Sequence, residues 1–137
     1  MSFSDYLEDK ILEHVFGGNA YTAPATLYVG LQTSASSDSA AGTEVSGGSY
    51  ARQTASFTVS GTNPTEAATT AAIEFPVATA DWGTVTYAAV YDAATGGNML
   101  AYAQLTDPAD FVTALPKTIE TGDVFRISSG NLKIRLD

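Results

Sequence analysis

Apolar residues recur at every fourth position at the start of the chain and at every second position after it. Phe3, Leu7, Ile11 and Val15 form one stripe, widened by Leu12 and Phe16, while Glu8, Asp9, Lys10 and Glu13 fall elsewhere on the wheel. This spacing predicts an amphipathic helix within residues 1–18, of about 13 residues and roughly 20 Å. Ser2 or Ser4 is placed to cap its start. Asp5 and Glu8 suit the positive end of the helix dipole, His14 suits the negative end, and Gly17-Gly18 supplies a stop.

From Tyr21 onward the pattern alternates, with Thr, Val, Tyr and Ala separated by Gly, Ser, Asn and Asp clusters. Strands are expected near 26–33, 50–59, 72–75, 84–91, 98–106, 117–120, 124–128 and 132–136. Leu27, Val29 and Leu31 share one face, as do Ala55, Phe57 and Val59, then Val85, Tyr87, Ala89 and Tyr91, then Leu132, Ile134 and Leu136. The turn Asp92-Ala-Ala-Thr-Gly-Gly-Asn98 predicts a hairpin, because Asp opens a turn and Gly96 and Gly97 tolerate positive φ. Residues 34–48 and 61–70 lack periodicity and read as exposed loops.

About eight short strands without a βαβ pattern predict an all-β fold, an antiparallel β-sandwich or jelly roll, with one N-terminal amphipathic α-helix. Residues 1–18 are then a docking helix and residues 19–137 a single sandwich domain. The apolar stripe of the helix must be covered by its own sandwich or by a neighbouring subunit.

Composition narrows the function. The chain has 137 residues and no cysteine, so neither disulfides nor thiolate metal sites support it. Fifteen acidic against six basic residues give a net charge of −9, which repels a phosphate backbone and argues against nucleic acid as a partner. No apolar run approaches the ~20 residues of a membrane span, and the acidic N-terminal segment does not read as an export signal.

Catalytic chemistry finds little support. His14 is the sole histidine and sits on the helix, where a surface or interface role is expected. Asp107 with Asp110, and Asp81 beside Trp82, fall at turns where Asp serves backbone geometry. Asp107/Asp110 and Asp38/Glu44 lack the ligand density of a calcium loop. Aromatic residues fall mostly in strand patterns, where they fill a core or cross-strand pairs. Arg52, one of only six cations, is expected to fork to a carboxylate or carbonyl and fix a loop. No catalytic, cofactor-binding or metal-ligating residue is therefore assigned. The expected interface residues are Phe3, Leu7, Ile11, Val15, Arg52 and Trp82.

Several segments together carry a resemblance: Tyr6-Leu-Glu with Ile11-Leu-Glu-His14, Ala25–Leu31, Gly42–Arg52, Ala80–Val85, Tyr91–Asn98, and Gly122-Asp123 followed by Gly130-Asn-Leu132. In order and spacing they resemble a family of small tailed-bacteriophage virion structural proteins, often labelled tail-fibre-like, over nearly the whole chain. The resemblance implies a non-enzymatic particle component located in the virion and assembled in the host cytoplasm. With neither a heptad nor a β repeat, the chain suits a compact tile better than a rod. The leading expectation is a capsid decoration, or cement, protein that stabilises the head. Its partners would be other virion proteins, chiefly the major capsid protein, and further copies in a dimer or trimer. The alternative is a tail or neck accessory, as a host-contact or fibre-attachment module, and a carbohydrate-binding module stands third.

Overall fold

The computed structural model describes residues 1–136; Asp137, the last residue of the expected sandwich, lies outside them. The elements in chain order are β1 (Ser2–Phe3), α1 (Asp5–Val15), β2 (Leu27–Gln32), β3 (Gln53–Ala55), β4 (Phe57–Ser60) and β5 (Thr65–Thr69). They continue with β6 (Ile73–Glu74), β7 (Gly83–Val85), β8 (Tyr87–Tyr91), β9 (Met99–Gln104), β10 (Lys117–Ile119), β11 (Arg126–Ile127) and β12 (Lys133–Leu136). The fold is an all-β sandwich with one N-terminal helix, and its strand pairings are antiparallel.

One layer is a five-stranded sheet in the order β1-β9-β8-β2-β3. The other is assembled from smaller pieces: the ribbons β10-β7 and β11-β6 and the three-stranded sheet β12-β5-β4. Val29, Leu31, Ala88 and Val90 from the large sheet share one core with Ile73, Val85 and Ile119 from the small ones and with Phe75, Phe125 and Leu132, each one residue beyond a small-sheet strand. Removing a large aliphatic side chain such as Leu31 from water contributes about 1.5–3 kcal/mol. Inside that core Phe75 stacks on Tyr50 at 6.1 Å and meets Trp82 and Phe125 edge-on.

The alternating pattern located most strands, and two of the expected runs are each divided between two sheets. The run expected over 50–59 breaks at Ser56, so β3 pairs with β2 while β4 pairs with β5 in the opposite layer. The run over 84–91 breaks at Thr86 in the same way, with β7 on β10 and β8 in the large sheet. Each break is a corner where the chain changes sheets; at Ser56 the parity is kept, with Ala55 and Phe57 both on the core, and at Thr86 it is reset. Val85 therefore lies in the core while Tyr87, Ala89 and Tyr91 take the opposite face of the large sheet. Phe57 packs on the core but Val59 is exposed. The face expected for Leu132, Ile134 and Leu136 likewise fades outward, from buried to half-buried to exposed.

Both expected loops hold more order than their composition suggests. Residues 61–70 contain β5, the middle strand of its sheet, entered through a turn with a cis Asn63–Pro64 bond. Residues 34–48 fold back along β2: the Val45 amide donates to the Leu31 carbonyl at 3.0 Å, Gln32 bridges Glu44, and the Val45 side chain is buried in the core. At the N-terminus, Ser2 and Phe3 pair with Tyr102 and Ala101. The boundary expected at residue 18 thus does not separate the first residues from the sandwich, because they form its edge strand.

Candidate functional site

Helix α1 starts where a serine cap allows. The Ser4 side chain accepts from the Leu7 amide at 3.3 Å and donates to the Met99 carbonyl at 2.5 Å, so the cap also anchors the helix to β9. Leu7 and Ile11 are half-buried on the side where the helix lies along β9 and β1. Phe3, expected on the same stripe, is half-buried within β1. Beyond Ile11 the covering surface ends: Leu12, Val15 and Phe16 expose 58%, 61% and 82% of their area. His14 lies in the last turn of α1, where its Nδ1 accepts from the Tyr21 amide at 3.1 Å.

Arg52 and Trp82, expected at an interface, are turned inward instead. Trp82 is 5% exposed, and its indole N–H donates to the Gly48 carbonyl at 2.9 Å. Its bulk fills the aromatic core, so the ring is not offered to a partner or a sugar. The Arg52 side chain is 7% exposed and forms a clamp. Nε and Nη2 donate to the two Glu44 carboxylate oxygens, each at 2.8 Å, and Nη1 donates to the Ala93 and Gly96 carbonyls, also at 2.8 Å. The guanidinium lies 3.5 Å from the centre of the Tyr91 ring. The fork predicted from its scarcity is present and takes both kinds of acceptor.

This clamp gathers three segments that are distant in sequence. Glu44 also accepts from the Tyr50 hydroxyl at 2.7 Å, and that hydroxyl in turn accepts from the Leu31 amide at 2.9 Å. Gly30 lies beneath, where an added Cβ would sit 2.8 Å from a Glu44 oxygen and 3.0 Å from the Tyr91 ring, so glycine is needed for the close approach. Beside it, buried Gln32 donates to the Tyr91 hydroxyl at 2.9 Å and accepts from Ser36 at 2.5 Å. The segment before β3, strand β2 and the β8–β9 turn are thereby locked at one end of the sandwich.

Burial, reinforced by the hydrogen bond to Glu44 and by its charge, pushes the Tyr50 phenol far above its ordinary value of 10. Burial also raises the phenol of Tyr91. A raised acid keeps its proton in the folded state while the unfolded chain ionises. These tyrosines therefore support the fold below pH 10 and cost it stability as the pH rises past the unfolded value. Denaturation followed from pH 8 to 11 should show stability falling above about pH 10. Replacing Tyr50 with Phe should flatten that fall.

The other carboxylates singled out in the sequence serve turns. Asp81 accepts from the Thr121 amide at 2.9 Å. Asp107 accepts from the Ala109 amide at 2.8 Å. Asp110 accepts from Thr113 Oγ1 at 2.6 Å and from the Val112 and Thr113 amides, contacts that hold its carboxyl below the usual range. Asp38 accepts from the Tyr102 hydroxyl, and Glu44 belongs to the clamp, so the pair considered for calcium is divided between two networks. Among the described residues no group of three acidic or histidine side chains gathers at metal-binding distance. No helix among them is long and apolar enough to cross a membrane.

A sandwich whose conspicuous polar residues brace loops is compatible with many roles, and comparison with known families decides its kinship. The family model described as Podophage GP4 fiber I protein gp80 matches residues 2–135. The chain belongs to this family. No curated protein matches it. The gp80 family match spans β1 through nearly all of β12, so it covers the whole sandwich and its helix. Membership makes the chain a phage structural protein, as the resemblance implied, and the word fibre in the gp80 description weighs toward the tail-side alternative over capsid cement.

Proposed function

We propose that the chain is a non-enzymatic tail-side component of a tailed-phage particle, a unit of a fibre or of its attachment. The observation that carries this reading is the gp80 family match across the entire fold, which ties the fibre description to the sandwich itself. The structure supports a structural role: the sole histidine receives a backbone amide, Asp81 and Asp110 hold turns, Glu44 belongs to the Arg52 clamp, and Trp82 is core. A sandwich without a heptad or a β repeat acts as a compact unit in such an assembly, its reach set by neighbouring virion proteins.

Labelling intact particles with antibody against the chain tests the location. Label confined to the tail vertex is the expected result. An even coat over the head would restore capsid decoration, with the major capsid protein as partner. Absence from purified particles would remove both readings.

A further inference from the structure

Between the edge of the large sheet and the C-terminal strands lies a cleft of ≈ 900 Å³. Four of the six cations in the chain, Lys117, Arg126, Lys133 and Arg135, line it, and among the described residues no acidic side chain does. In a chain of net charge −9 that segregation is opposite to the average surface. Glu66 reaches in from outside the lining to Lys133 at 3.6 Å and Arg135 at 2.5 Å. Lys117 and Arg126 form no ion pair among the described residues. The rest of the lining is largely apolar and includes Leu105, Phe111, Leu115 and Ile127.

The same chain carries a surface of the opposite kind. Helix α1 bears Asp5, Glu8, Asp9 and Glu13 against the single cation Lys10. Its C-terminal end exposes Leu12, Val15 and Phe16, and the negative end of the helix dipole lies there. We propose that the cleft receives the C-terminal end of α1 from a second copy of this chain. Charge complements charge, and the exposed apolar tip covers the apolar floor.

The placement of α1 makes the exchange reciprocal. Met1 and Ser2 line the cleft, and Phe3, Glu8 and Arg135 share a smaller adjoining depression, so the helix begins at the cleft rim. Its 11 residues carry the tip about 16 Å away. Two copies paired antiparallel along α1 put each tip at the start of the other helix, beside its cleft, and one two-fold axis satisfies both contacts. This inference concerns the protein in solution and is independent of its place on the particle.

Sedimentation velocity over a concentration series tests it with two exposed substitutions, Phe16→Asp on the tip and Arg126→Glu in the cleft, after circular dichroism has shown both variants folded. The native chain should dimerise, more weakly as salt rises, and each variant should raise the dissociation constant about tenfold or more. The two variants mixed should associate more tightly than either alone, because the intact tip of one meets the intact cleft of the other. A native chain that stays monomeric at hundreds of micromolar, or a mixture no tighter than its components, overturns the proposal. A monomer that binds poly-glutamate through its cleft also overturns it, in favour of a different acidic partner.

Discussion

Phe75→Ala should lower the unfolding free energy by about 3–5 kcal/mol, the usual cost of emptying a buried aromatic site. Phe75 is 2% exposed and touches three other rings, Tyr50, Trp82 and Phe125, which come from different parts of the chain. Those neighbours are fixed from outside: Trp82 by its bond to the Gly48 carbonyl, and Tyr50 by the Leu31 amide and Glu44. They cannot collapse into the space without breaking these bonds, so the cavity persists and its cost lies in the upper part of the range. In urea the midpoint should fall by roughly 2 M. Phe75→Leu, which leaves a smaller void, should cost less than half as much. A loss under about 1 kcal/mol for the alanine variant would show that the small sheets repack freely and that this ring is not their keystone.

Arg52→Ala comes second, with an expected loss of about 2–4 kcal/mol. Removing the guanidinium leaves the Glu44 carboxylate without its bidentate partner, releases the carbonyls of Ala93 and Gly96, and uncovers the Tyr91 ring. Arg52→Lys should recover less than half of that loss, because an ammonium keeps the charge but cannot span two carboxylate oxygens and two carbonyls from one planar group. Adding Glu44→Gln to Arg52→Ala should cost less than the sum of the single changes, since the stranded charge is then gone. Hydrogen exchange offers a local readout: amides of the β8–β9 turn should lose protection first. Equal stability of the Arg52→Ala and native chains would mean that strand pairing alone holds this end of the sandwich.

Particular residues show what was legible beforehand. The fourfold recurrence of Phe3, Leu7, Ile11 and Val15 located a helix, and Ser4, one of the two serines expected at its start, is the cap. Its ends shifted inward because Ser2 and Phe3 find a strand partner in β9, and a two-residue edge strand leaves no period to read. Asp92–Asn98 turned as expected, with Gly96 and Gly97 at positive φ and Asp92 accepting from the Asn98 amide at 2.7 Å. Arg52 was identified by scarcity, and the acceptor types foreseen for it are those it has. Trp82 was misplaced because a tryptophan beside an aspartate at a turn looks the same in sequence whether its ring points in or out.

The cationic cleft had no sequence signal. Lys117, Arg126, Lys133 and Arg135 lie on three strands of three different small sheets, and nothing in their spacing announces that they converge.

The sequence by itself determined the class of fold, the helix, the principal hairpin, and a kinship with phage particle proteins. Those properties rest on local periodicity, turn chemistry and the order of short motifs, all of which act between residues near one another in the chain. Only the tertiary structure decided which layer each strand joins, which aromatics face inward, and where the cations gather. Thr86 shows why: alternation records that neighbouring side chains point to opposite faces, but a single corner residue reverses the assignment for the strand that follows. Whether the chain bends there depends on distant strands competing for the same backbone groups.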